Sequence, residues 1–367
     1  MKILHLSTWE TGGAAKATTR LSTALNNLGV DSQILHMSSR LPAYLDAAIA
    51  KLTHTVNPIF HSYNYFGEDI SKKIAEFKPD ILHIHWIGAG FIRPESLAKY
   101  GLPIVWTLHD LWPLCGGEHL PSTPRFQAGY FPGSRPTGEW GLDLNRLVWE
   151  RKLKSFKDLN LTYVAPSRYV REIASSAKSI QGHHLEYIAN GLDVEIYKPN
   201  KNKHNKDKSI IFFAAMNPQL DPNKGYVDFV KSIALLSPNI RDRVAIKTIG
   251  GKITTEIEMA RLYQSATVTV VPSRIENLSF VTMESLACGT PVVAYKVGGI
   301  PDLVEHGKNG YLAKPYDIKD LSRGIEKIIT SPVLQKEYGK YGREKIVKSF
   351  NLSTVAKKYL ELYESLI

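Results

Sequence analysis

Short apolar, β-branched runs alternate with longer segments of helical period along most of the chain. Runs at 3–7, 32–37, 81–86 and 104–108 in the first half, and at 209–215, 244–249, 267–271 and 292–295 in the second, read as buried strands. Between them, 14–28 (stopped by Gly29), 69–77, 146–158, 256–266, 317–331, 333–348 and 353–366 carry the spacing of amphipathic helices. Strand, turn and helix in regular alternation predict an α/β protein with doubly wound, mostly parallel sheets. A chain of 367 residues is long enough for two such domains. A Pro/Asn/Lys stretch at 194–208 looks like the linker, which puts one domain at 1–194 and the second at 195–351. Residues 40–66 and 116–142 show little period, and the latter reads as an insertion beside a binding site. Lys308-Asn309-Gly310-Tyr311 reads as a hairpin turn.

Composition narrows the class. With 43% hydrophobic and 22% charged residues the chain is globular, and no apolar run reaches the ~18 residues that span a bilayer. The N-terminal apolar run is too short for a signal peptide, and the two cysteines, Cys115 and Cys288, read as reduced thiols; both suggest a cytoplasmic protein. Net charge is +11, and it is uneven: residues 1–195 carry 20 basic and 18 acidic side chains, residues 196–367 carry 26 and 17. A positive second half suits an anionic nucleotide. No basic recognition helix or aromatic-studded basic sheet is present to suggest nucleic acid. Residues 146–158 place Leu147, Trp149, Leu153 and Phe156 among four cations, which fits either a core helix with a wet back or a helix lying on an anionic membrane.

The densest chemistry lies at 272–299. A strand ends at Val271, Ser279 can cap the next helix, and Gly289 with Pro291 stops it. Glu276 falls in the loop and Glu284 inside the helix. The free amides of Leu278, Ser279, Phe280 and Val281, with Asn277 beside them, would form an anion site backed by the helix dipole. A diphosphate there would leave a ribose near Glu284 and a sugar near Glu276. For an arbitrary pair of acids the alternative is a cap and a solvated face.

The string P-S-R-I-E-N-L-S-F-V-T-M-E-S-L-A-C-G-T-P-V-V-A resembles the E-x7-E signature of the family 4 retaining glycosyltransferases. That resemblance implies the GT-B fold: two Rossmann-like domains facing across a cleft, with a C-terminal helix, 352–367, crossing back to the N-terminal domain. It implies that Glu276 acts at the transferred sugar and Glu284 at the ribose. The family grips the diphosphate with an Arg and a Lys-Gly; Lys224-Gly225 matches, whereas Ala215-Met216-Asn217 stands where the Arg belongs. Relatives also have a further strand before the central unit, so the second sheet is expected to be one strand short.

The string W-T-L-H-D-L-W-P-L-C-G-G at 106–117 resembles the subgroup acting on bacterial surface polysaccharides, and implies that His109 lies beneath the transferred sugar, with Asp110 orienting it or touching the acceptor. Gly12 and Gly13, after the first strand, are expected near the donor phosphates or the acceptor; their spacing is not that of a dinucleotide-binding loop. His85 and Trp86 fall at a strand's carboxyl end, where ligands of open sheets bind, and are candidate acceptor contacts. His83 and His85 are read as alternating to opposite faces of their strand, unable to hold one metal together.

These readings converge on a metal-independent, retaining hexosyltransferase. It would move a sugar from a nucleotide-diphosphate sugar, UDP- or GDP-linked, to a glycan or lipid-linked saccharide, with no other cofactor and with domain closure excluding water. Peripheral contact with the inner face of the membrane is compatible with this. A nucleotide-sugar 2-epimerase of the same fold and a non-catalytic sugar-nucleotide-binding protein are the alternatives.

Overall fold

The computed structural model describes residues 1–57, 59–200, 208–250 and 255–367. They form two compact units, one of Met1–Ala189 with Ala356–Ile367, the other of Asn190–Val355. The first unit is built on a six-stranded parallel sheet in the order Asp31–Leu35, Lys2–Ser7, Ile81–Trp86, Ile104–Thr107, Leu161–Ala165, His184–Tyr187. Its central strands are buried along most of their length, as in sheets covered on both faces: Ile3, Ile81, Leu82, Ile84, Val105 and Val164 are fully buried, and so are the polar His5, His83 and Thr107 among them. Residues 40–66, without clear period in the sequence, hold a helix, Leu41–Ala50, and a short strand, Thr53–His54, which pairs antiparallel with Trp140–Gly141 of the insertion.

The second unit has a five-stranded parallel sheet in the order Val244–Ile249, Ser209–Ala214, Val268–Val271, Val292–Tyr295, Gly310–Ala313. The expected hairpin at 308–311 is not one. The turn is there, but Gly310–Ala313 runs parallel to Val292–Tyr295 and closes the edge of the sheet. Turn residues signal a reversal without saying which strand the chain pairs with next.

The expected linker also differs from the structure. Val194 and Tyr197 are buried, and Arg343 Nη1 donates to their carbonyls at 2.9 and 2.6 Å. Residues 201–207 of that stretch, and Gly251 of the Gly250-Gly251 pair, lie outside the described residues.

The last helix, Leu352–Glu364, is held to the first unit from Ala356 onward. Buried Tyr359 and Tyr363 hydroxyls reach Thr107 Oγ1 at 2.8 Å and His83 Nδ1 at 2.6 Å, tying the helix to two central strands.

The 146–158 pattern is realised as the helix Leu144–Phe156, whose buried side is Leu144, Val148, Trp149, Lys152 and Phe156. Lys152, counted in the sequence among the wet cations, is in the core, donating to the carbonyls of Trp112 and Gly116. Burial holds its pKa down to about 7 against the pull of Cys115, Glu118 and Asp110. It ties the 110–117 loop to the helix.

Among the described residues no helix is long and apolar enough to cross a membrane.

Candidate active site

In the second unit the Val268–Val271 strand runs into the loop 272–279 and then the helix Phe280–Ala287. Ser279 is the N-cap, accepting from the Thr282 amide at 3.2 Å, so its hydroxyl is spent on the helix start. Leu278 is buried, and Asn277 and Phe280 flank the cap.

Two close backbone approaches shape this loop. Gly225 has φ +67°, and a Cβ there would lie 2.0 Å from the Pro272 carbonyl oxygen. Gly298 has φ +51°, and its Cβ would lie 1.8 Å from the Glu276 carbonyl oxygen. Only glycine accepts both the dihedral and the contact. The Gly299 amide then donates to that same Glu276 carbonyl at 3.0 Å, and the Arg274 amide to Asn223 at 2.7 Å. This lacing brings the turn Pro222–Lys224, capped by Asp221, against the loop. As a result Lys224 Nζ stands 3.4 Å from Glu276 Oε2. The Glu276 charge, outweighing burial, raises the pKa of Lys224, so the ammonium is fixed as a cation.

Glu284 is 2% exposed and accepts from the Tyr263 hydroxyl at 3.0 Å. Burial and the Glu284 charge push Tyr263 up well above the ordinary phenol value, so Tyr263 keeps its proton and is the donor of this bond. The sequence reading missed Tyr263. It also missed Arg274, whose guanidinium meets both oxygens of buried Asp228 at 3.1 and 3.0 Å. Tyr263 and Asp228 are brought in by other helices, Glu256–Ser265 and Tyr226–Ala234, while Arg274 lies in the loop itself.

In the first unit, the carboxyl ends of three neighbouring strands gather Thr8, Trp86 and His109. Thr8 bonds the carbonyls of Trp86 and Gly88, joining two of the loops. Gly12 (φ +101°) and Gly13 open the helix Gly13–Asn27, with nothing within 4 Å of a Cβ at either position.

The expectation that His83 and His85 diverge is corrected by the structure. Residues two apart on a strand share a face, and the two ring centroids are 4.0 Å apart, with His5 of the adjacent strand beside them. His85 is 2% exposed; its Nε2 pairs with His5 Nδ1 at 2.9 Å and its Nδ1 with His109 Nε2 at 3.0 Å. Any part it takes toward a ligand therefore runs through His109. Trp86 is half-buried, its indole N–H 2.5 Å from Asp110 Oδ2.

Asp110 also receives His119 Nδ1 at 2.6 Å and the Trp112 amide at 3.0 Å. Burial pushes its carboxyl up, but His119 and these donors together hold it below the ordinary range. Asp110 thus organises its own loop. His119, which sequence reasoning did not single out, completes the cluster: its Nε2 meets Ser62 Oγ at 2.7 Å, and it stacks on Trp86 and Phe60.

Burial pushes His5 down to about 3 and His109 to about 4, the Asp110 charge partly countering the latter. Unfolding returns both to an ordinary value near 6.5. Below that pH the unfolded chain binds more protons, so stability is lost as pH falls through 6.5 toward 4. His83 and His85, which burial also holds well below the ordinary value, add to this, so denaturant unfolding at pH 7 and pH 5 is expected to show a loss of several kcal/mol that is smaller by about 2 kcal/mol in His5→Phe.

Comparison with known proteins gives the chain its family. Residues 11–196 match the model of Glycosyltransferase Family 4, and residues 251–345 that of Glycosyl transferases group 1. The chain is 35% identical over 325 residues to the alpha-maltose-1-phosphate synthase of Mycolicibacterium smegmatis, covering 77% of this chain and 78% of that one. It is 24% identical over 305 residues to a D-inositol 3-phosphate glycosyltransferase of Thermobifida fusca, covering 72% of this chain and just 64% of that relative's length. The fold is shared with HepE of Anabaena, solved with UDP and glucose, at a TM-score of 0.67 and 18% identity over the full length of both chains. This chain, with its two Rossmann-like units, belongs to glycosyltransferase family 4 and is a glycosyltransferase of the GT-B fold.

Proposed function

We propose that the protein is a retaining, metal-independent hexosyltransferase that moves a sugar from a UDP- or GDP-linked donor to a glycan or lipid-linked saccharide in bacterial surface-polysaccharide synthesis. The observation that carries the reading is the pairing of Lys224 with Glu276 beside the capped start of the Phe280–Ala287 helix. One anion-seeking cation, one helix start and one carboxylate are what a sugar diphosphate needs. The diphosphate would take Lys224 and the first-turn amides, freeing Glu276 to accept from a sugar hydroxyl. Glu284 would serve the ribose while keeping Tyr263.

In transfer, the bond from the anomeric carbon to the diphosphate breaks and a bond to the acceptor oxygen forms on the same face. The acceptor's proton passes to the departing phosphate. Lys224 and the helix start stabilise the charge that develops there. UDP-linked donors are favoured by the UDP and glucose in the Anabaena relative. The surface-polysaccharide acceptor is favoured by the 106–117 string, and a site on the cytoplasmic side of the membrane goes with both. Ala215-Met216-Asn217, without a second phosphate cation, is the feature favouring a binding protein that does not turn over.

A thermal-shift panel of UDP-, GDP- and ADP-sugars is expected to show one class raising Tm, since a ligand of the folded state stabilises by mass action. Proton NMR of the product from that donor should show the donor's own anomeric configuration, with the rate unchanged in EDTA. Inversion, dependence on a divalent ion, or binding without transfer or hydrolysis would each contradict the proposal.

A further inference from the structure

Three imidazoles in the first unit form a row that the transfer chemistry does not use directly. His5 Nδ1 lies 2.9 Å from His85 Nε2, and His85 Nδ1 lies 3.0 Å from His109 Nε2. His83 packs against His85 but stands outside the row, its nitrogens taken by Tyr363 and Thr107. One nitrogen from each of His5, His83 and His85 falls within 4.8 Å of the other two. Donor atoms around a tetrahedral zinc stand about 3.4 Å apart, given Zn–N bonds of ~2.0–2.1 Å. Five of these six nitrogens already have protein partners, so the donor set is that of a hydrogen-bonded row rather than a cage.

A row of neutral imidazoles has only two self-consistent states. Each ring owns one N–H and one lone pair, so every N–H in the row must point the same way. The choice is made at the far end. His5 Nε2 is buried and has no hydrogen-bond partner. If the row pointed toward His5, that nitrogen would carry an orphaned N–H; if it points away, only a lone pair is left there. Orphaned buried donors are the rarer and costlier case.

We infer that His5 and His85 are positioning residues, a one-way row that donates from His5 to His85 to His109 and holds His109 in its Nδ1–H form. His109 is then a hydrogen-bond donor at Nδ1, with no lone pair there to act as a base. The functional weight of this rests on the proposed place of His109 at the transferred sugar. It makes His109 a donor rather than an acceptor toward any sugar oxygen it meets through Nδ1, and leaves proton acceptance to the departing phosphate.

The test is the 15N spectrum of imidazole-labelled full-length protein at pH 7, with the His109 signals assigned by their loss in His109→Asn. Without ligand, His109 is expected to show a protonated Nδ1 and a lone-pair Nε2. A protonated Nε2, or a fast average of both forms, would overturn the inference. In His85→Leu the donor to Nε2 is gone, and the single form should give way to a mixture. In His85→Asn the side-chain amide can still donate, and the Nδ1–H form should return. Persistence of the single form in His85→Leu would show that something other than the row sets it. Should the leucine variant not fold, the parent and asparagine spectra still decide, since a mixture in the latter counts against His85 as donor. Adding UDP-glucose or GDP-mannose then separates the two claims. No change at His109 with either would remove its sugar-facing role while leaving its protonation as measured.

Discussion

Alanine at position 276 is expected to lower sugar transfer by about 10³-fold while nucleotide affinity changes little. The loss has that size because the carboxylate is proposed to contact the group whose bond breaks, where a single oriented charge is worth several kcal/mol. The nucleotide should bind almost as before, because Lys224 is released from a partner 3.4 Å away rather than deprived of its ligand. Alanine at 284 should do the reverse, weakening nucleotide binding about tenfold or more. That variant carries a stability cost of about 1–3 kcal/mol, since the Tyr263 hydroxyl is left buried without its acceptor. Calorimetric titration of nucleotide alongside kcat and Tm separates these effects. Equal losses of affinity in the two variants would end the division of labour.

The second large effect comes from a residue with no side chain. In Gly298→Ala the new Cβ meets the Glu276 carbonyl oxygen at 1.8 Å, inside any tolerable contact, and φ of +51° adds strain. Either the Gly298–Gly299 turn or the Glu276 loop must move by more than an ångström, and the Gly299 bond to Glu276 is lost with it. A misplacement of that size costs about 10²-fold in rate. The expected result is loss of transfer approaching that of the Glu276 variant, with Tm lowered by several degrees but the protein folded. Unchanged kinetics would mean the loop geometry is not what positions Glu276.

Some of this site was legible from the chain alone because its signals are local. Ser279 as cap, Gly289 as stop, and the offset between Glu276 and Glu284 all lie within one turn or helix. Lys224 next to a glycine was also visible, but not its contact with Glu276, which joins residues 52 positions apart through two glycine-permitted backbone approaches. His85 illustrates the reverse failure. A strand position was correctly assigned, yet the facing of residues two apart was misjudged, and its partners come from the strand on one side, His5, and from just past the end of the strand on the other, His109.

Lys152 shows the same limit in a helix. Its charge placed it on the wet side of the pattern, but two loop carbonyls draw it into the core. Periodicity weighs each residue by its own polarity and cannot see a polar partner supplied from elsewhere.

By itself, the order of apolar runs and helical segments determined that this protein is α/β with parallel sheets, because strand and helix periods are properties of neighbouring residues. Which strands adjoin, and so which histidines touch, which carboxylate meets Lys224 and which tyrosines the last helix delivers, was decided only on folding. Those contacts are set by sheet order and by backbone approaches between distant segments, and no local period encodes them.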